Sequence, residues 1–196
     1  MAEFKCDLTK GRGLGGCLTT TGGVKYVYFC QYEPAIFNVV AGGAFPGSLV
    51  DTIDGIPILY RYSMKRGAGG LSEAVAASAE NGTVFYTPTV TVKLHKLTKE
   101  DQNELKLIAQ NTLVCFVELN EVNSAGKNVI IAVGTDAGCV ISGGTNSSGA
   151  ALGDFNGYEW TFEANQSYPM VMLKDYNLVP FDNIVTGGGA ITIDKD

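Results

Sequence analysis

From Thr83 to Leu94 the chain alternates. Val84, Tyr86, Val90, Val92 and Leu94 fall on one side of an extended backbone, and Thr83, Thr87, Thr89, Thr91 and Lys93 fall on the other. Successive side chains of a strand point to opposite faces, so this pattern specifies a β-strand with one face for a core and one for water. Pro88 lacks an amide donor, which predicts a bulge or an edge position there. An edge strand is free to pair with another chain.

The same reading extends along the chain. Val24 to Cys30, Ile36 to Ala41 and Ile56 to Tyr62 are short β-branched and aromatic runs bounded by Gly, Pro or Asp, the signature of strands. One helix is expected, from about Lys99 to Asn111, with Thr98 as N-cap and Glu100 and Asp101 in the first turn. Its apolar face would be Leu105, Ile108, Ala109 and Thr112. Further strands follow at Leu113 to Leu119, Val129 to Val133, Cys139 to Ser142, Gly157 to Ala164 and Tyr168 to Leu173, separated by turn-forming clusters. The fold class is mainly β with one flanking helix.

A chain of 196 residues with 45% hydrophobic side chains is long enough for one core and short for two, so residues 1–196 read as a single domain. Its 25 glycines make about 13% against roughly 7% in average proteins. They gather in places that resist a compact reading. From about residue 42 to 82, Gly and Pro clusters surround a single clear strand, and Leu71 to Glu80 is an Ala/Ser run of undecided state. From about residue 186 to 196, Gly187-Gly188-Gly189 precedes the alternating Ala190-Ile191-Thr192-Ile193. Both segments are expected to reach neighbouring subunits, with Phe45 and Leu71 in the excursion and Ile191 and Ile193 in the arm as inter-subunit contacts.

Composition also excludes several functions. The net charge is −6, and no basic cluster exceeds the pair Lys65-Arg66, so specific nucleic-acid binding is disfavoured. His95 is the only histidine and ends the Thr-rich strand, where it reads as a surface residue. Five cysteines without a C-x-x-C fit neither a zinc ribbon nor a disulfide scaffold, and Cys115 and Cys139 lie in apolar runs as buried thiols of a reducing compartment. Gly11-x-Gly13-x-x-Gly16 matches a dinucleotide fingerprint but has no strand before it and no helix after it. No membrane span or signal peptide is expected. No catalytic residue, cofactor or metal is expected either.

The segment from Ser142 to Ala164, with Asp154-Phe155-Asn156-Gly157-Tyr158 leading into Glu159-Trp160-Thr161-Phe162-Glu163, followed by Tyr168-Pro169, resembles the late part of tail tube proteins of tailed bacteriophages. Upstream, Thr21-Gly22-Gly23-Val24-Lys25-Tyr26-Val27-Tyr28-Phe29, the central Thr-rich strand, the helix and Leu113-Val114-Cys115-Phe116-Val117-Glu118 are similar in order. The resemblance implies a β-sandwich or barrel-like subunit whose inner sheet joins its neighbours' in hexameric rings. The rings stack into a tube for DNA ejection, an architecture shared with type VI secretion tube proteins. The partners implied are further copies and other phage tail proteins, with genomic DNA passing through unbound. The location implied is the virion tail, assembled in the host bacterial cytoplasm. Within that frame Thr87, Thr89, Thr91, Glu159, Thr161 and Glu163 are expected to face the lumen, where a neutral or acidic lining lets a duplex slide. The alternatives are another structural protein of the tail or neck, a β-sandwich module binding glycans or proteins through its aromatics, and an enzyme centred on His95 with a nearby carboxylate.

Overall fold

A computed structural model of the chain describes residues 11–12, 20–34, 36–39, 49–55, 57–186 and 191–195. Among these residues twelve strands and one helix form in the order β1 (Val24–Gln31), β2 (Phe37–Val39), β3 (Leu49–Ile53), β4 (Ile58–Ser63), β5 (Gly69–Ser78), β6 (Thr83–His95), α1 (Lys99–Gln110), β7 (Leu113–Val122), β8 (Asn128–Val133), β9 (Val140–Ser147), β10 (Gly157–Glu163), β11 (Val171–Leu173) and β12 (Thr192–Asp194). The protein is mainly β, with a single helix among the described residues.

The strands divide between an eight-stranded sheet, ordered β12-β4-β1-β7-β8-β11-β3-β2, and a four-stranded sheet, ordered β5-β6-β10-β9. One core lies between them, where Val27, Phe29, Cys115, Val117 and Val133 of the large sheet meet Val90, Val92, Tyr158, Trp160 and Phe162 of the small one. The other face of the large sheet curls around a second core of Tyr28, Val50, Leu59, Val114, Phe116 and Leu173, closed by Phe181, Ile184 and Val185. Its central strand β7 is therefore apolar on both faces from Leu113 to Val117, whereas β6 and β10 alternate because only one of their faces is covered. Burying each of the large side chains contributes about 1.5–3 kcal/mol, which makes β10, with Tyr158, Trp160 and Phe162 almost fully buried, a principal anchor of the small sheet.

The helix forms where its caps predict. Thr98 Oγ1 accepts the Asp101 N–H at 3.1 Å, and the Tyr158 hydroxyl both donates to the Thr98 carbonyl at 3.0 Å and accepts its N–H at 3.2 Å. Leu105 and Ile108 face the core. Ala109 and Thr112, expected on the same face, are exposed: the helix meets the sheets along a narrow stripe that leaves Ala109 out, and Thr112 lies past its last residue, Gln110.

Three expectations change. Pro88 lies in an interior strand, since β6 has β5 on one side and β10 on the other, with unbroken β5 register through Pro88. Its carbonyl accepts the Ala164 N–H at 3.2 Å, just past the last β10 pair at Glu163 and Thr89. The same register runs on to a bridge in which Tyr86 and Gln166 exchange both backbone hydrogen bonds at 2.9 Å, so Pro88 costs this continuing ladder one hydrogen bond and does not end it. The stretch expected to be an excursion supplies β3, β4 and β5 to the two sheets. The C-terminal arm, expected on a neighbour, runs parallel to β4 of its own chain, with Thr192, Ile193 and Asp194 opposite Ile58, Leu59 and Tyr60. Ile191 and Ile193 pack there against the second core.

Candidate functional site

The four-stranded sheet collects every residue expected to line a channel. In register, Thr91 stands opposite Thr161, Thr89 opposite Glu163, and Lys93 opposite Glu159. On the flanking strands, Ser72 faces Thr89, Ala74 faces Thr87, and Thr145 faces Glu159. Because partners directly across a ladder project to the same side, Thr87, Thr89, Thr91, Glu159, Thr161 and Glu163 share one face. All six are half-buried, while Val90, Val92, Trp160 and Phe162 between them point into the core. The face is polar and short in side-chain reach. Its charges are sparse: Lys93 Nζ lies 3.1 Å from Glu159 Oε2, and Glu163 adds a second carboxylate. Thr87 Oγ1 donates to Asn165 Oδ1 at 3.3 Å.

Both borders of this sheet are open. Among the described residues no strand pairs with the outer side of β5 or of β9. These borders are long, at 10 and 8 residues. On β9 no residue is charged, and on β5 only Glu73 is. Glu73 is turned to the core side, where its carboxylate accepts the Met170 N–H at 2.6 Å. Since β5, β6, β10 and β9 are antiparallel in succession, the two borders run in opposite directions.

β6 keeps a partner past β10 as far as the Tyr86–Gln166 bridge, and from there β5 and β6 continue as a two-stranded hairpin. Its apolar side chains are uncovered: Val75 is 60%, Val84 51% and Phe85 46% exposed. An isolated hairpin is marginally stable in water, so this extension gains from contact with another surface.

The expected inter-subunit residues are not gathered there. Leu71 faces its own core from β5, Ile191 and Ile193 are on the large sheet, and Phe45 lies outside the described residues. His95 ends β6 and packs edge-on against Phe155, with ring centroids 5.5 Å apart. Among the described residues no group of three His, Cys, Asp or Glu is placed to hold a metal ion, and no helix is long and apolar enough to cross a membrane.

Sequence reasoning left β5 undecided because its Ala/Ser composition has few large apolar residues. The available signal was the alternation of Leu71, Glu73, Val75 and Ala77 against Ser72, Ala74, Ala76 and Ser78. Compared with protein-family models, with curated proteins and with solved structures, the chain matches none.

Proposed function

We propose that this chain is a tail tube subunit of a tailed bacteriophage, a structural virion protein. Copies assembled in the host cytoplasm join edge to edge into hexameric rings and stack into the conduit for DNA ejection. The observation that carries this reading is the open four-stranded sheet, with two long, nearly uncharged borders and one polar face. Proteins that remain single chains blunt such borders with Lys, Pro, short strands or cover. Here the borders present backbone donors and acceptors to a neighbour.

Strand parity supports ring closure. Rotation about a common axis leaves strand directions along that axis unchanged, so β9 of one copy meets β5 of the next in antiparallel sense. The alternation β5, β6, β10, β9 then continues around the ring without interruption. A sheet closed in this way has no edges left.

Size supports it as well. Six copies supply 24 strands from a four-stranded sheet. At about 4.8 Å per strand the backbone diameter is at least ~37 Å, and strand tilt widens it. Subtracting about 5 Å of side chain on each side, half a typical sheet spacing, leaves a bore of ~27 Å or more, wide enough for a duplex. Three copies would leave only about 8 Å by the same arithmetic.

With its Thr face inward, the bore carries two carboxylates and one ammonium per copy, Glu159, Glu163 and Lys93. Such a lining repels phosphate weakly and holds no duplex, because binding DNA requires a surplus of cations. The uncovered β5–β6 hairpin would extend along the axis toward the next ring, and the tube's ends would meet other tail proteins. Negative-stain microscopy of the purified chain over a range of concentrations tests the reading. Rings or tubes are expected. Single small particles at every concentration would sink it.

A further inference from the structure

A half-buried polar cluster around a fully buried carboxylate, on the inner face of the curled sheet, is independent of the assembly surface. Lys25 Nζ donates to Glu118 Oε1 at 3.0 Å and to Asn128 Oδ1 at 3.0 Å. The three residues belong to adjacent strands β1, β7 and β8, with the carboxylate on the middle one. Glu118 is 1% exposed. We propose that Lys25 and Asn128 become joined by an intramolecular isopeptide bond, formed by the folded chain itself, with Glu118 as the proton carrier.

The surroundings fix each group in a role. The second oxygen of Glu118 accepts the Tyr28 hydroxyl at 2.7 Å. Burial, and then that hydrogen bond, push the Tyr28 phenol well above its ordinary range, so it stays a donor. Asn128 Nδ2 donates to the Leu119 carbonyl at 2.9 Å, and the Asn128 N–H to the Tyr176 hydroxyl at 3.1 Å. The amide oxygen is thereby turned to the lysine. With Nζ 3.0 Å from Oδ1 and a C=O bond of about 1.23 Å, Nζ is no more than about 4.2 Å from the carbonyl carbon, near the ~3–3.5 Å of an attacking geometry.

The strands are distorted to make this arrangement. The β1–β7 register shifts between Val24 and Tyr26, and the extra residue is Lys25. Strict alternation would turn Lys25 toward the inter-sheet core with Val27. The bulge puts it beside Tyr26 on the Glu118 side instead, leaving Val24 in the inter-sheet core. The β7–β8 register also shifts, between Glu118 and Val122, and Asn128 pairs just beyond that shift. Bulges characteristically re-aim a side chain beside a reactive site.

The chemistry balances without any further reactant. Lys25 gives a proton to Glu118, and the neutral amine attacks Cγ of Asn128. Two protons pass in all from Nζ to Nδ2 through Glu118, the Cγ–Nδ2 bond breaks, and nitrogen departs as ammonium while Glu118 ends as the carboxylate it began. One amide replaces another, with nothing oxidised or reduced. The lysine side chain is 40% exposed and a cavity of about 420 Å³ lies alongside, lined in part by Lys25, Tyr28, Glu118 and Tyr176, so the leaving group has an exit.

Intact mass spectrometry of the full chain, freshly purified and after prolonged incubation, tests this. The expected result is a mass lower than the sequence requires by about 17 Da, one ammonia. A digest should contain a branched peptide holding Lys25 and Asn128, and the denatured chain should migrate faster in a gel because a link spans 103 residues. Lys25→Arg, which keeps the charge beside Glu118 and so the fold, is expected at its full mass. Glu118→Gln, nearly isosteric, is expected to stay unlinked while folded by circular dichroism. A folded wild-type chain that stays at full mass after incubation overturns the proposal, and a linked Glu118→Gln chain overturns the role of Glu118.

Discussion

Gly157 approaches Leu94 so closely that a β-carbon built on it would stand 1.9 Å from the Leu94 carbonyl oxygen, on a backbone with φ of +153°. It opens β10 opposite His95, between Asn156 and Tyr158. Both the space and the dihedral require glycine. Gly157→Ala should destabilise the chain by about 3 kcal/mol, from backbone strain and overpacking together. Urea denaturation measures this, and a loss under about 1 kcal/mol would contradict the packing described.

Prolines placed separately at Thr145 and Asn146 on β9 test the open border. N–H directions alternate along a strand, so one of the two points away from β10. That variant should keep its circular dichroism and lie within about 1 kcal/mol of wild type in stability, yet form no rings. Normal tubes from both folded variants would exclude β9 as a joint.

Replacing Glu159 and Glu163 with Lys converts two carboxylates and one ammonium on the Thr face into three ammoniums. Stability should change by less than about 1 kcal/mol, because the half-exposed Lys93–Glu159 pair is screened by solvent. Assembled variant tubes should retain duplex DNA with an affinity that falls steeply with salt, and wild-type tubes should not. Gel-filtration of tube and DNA mixtures at two salt concentrations reads the difference. Equal DNA retention by the two would remove these residues from the bore.

Burial, then the nearby Cys139, pushes the Cys30 thiol up to about 12 from its ordinary 9.0. A raised folded value stabilises fully below the unfolded value and is lost as pH rises through the folded one. The melting temperature should therefore fall between about pH 9 and pH 12. Tyr62, also raised to about 12 by burial, titrates in part of that window, so the thiol's share is the difference between wild type and Cys30→Ala. A variant with an identical alkaline slope would refute the assignment.

Much of the small sheet was legible in advance. The alternation of β6 and β10 is visible because one face of each is dry and the other wet, and α1 announced itself through Thr98 and its first-turn acids. The large sheet was harder to read. Val114 and Phe116 face one core while Cys115 and Val117 face the other, so the run shows no period and only its β-branched content marks it as a strand. Ile193 looked suited to a neighbour because its partner, Leu59, lies 134 positions earlier in the chain, a pairing no local pattern encodes.

The residues alone determined that the chain is mainly β, where its helix begins and ends, and that Thr87, Thr89 and Thr91 share a side, since these follow from backbone periodicity and capping within a few residues. Tertiary structure decided which strands are borders and which are interior, making β6 central despite Pro88 and leaving β5 and β9 open. It also decided that Lys25, Glu118 and Asn128 meet. The physical reason is the same in each case. Pairing and bulge register depend on contacts between segments far apart in sequence, and these exist only once both sheets have closed on their cores.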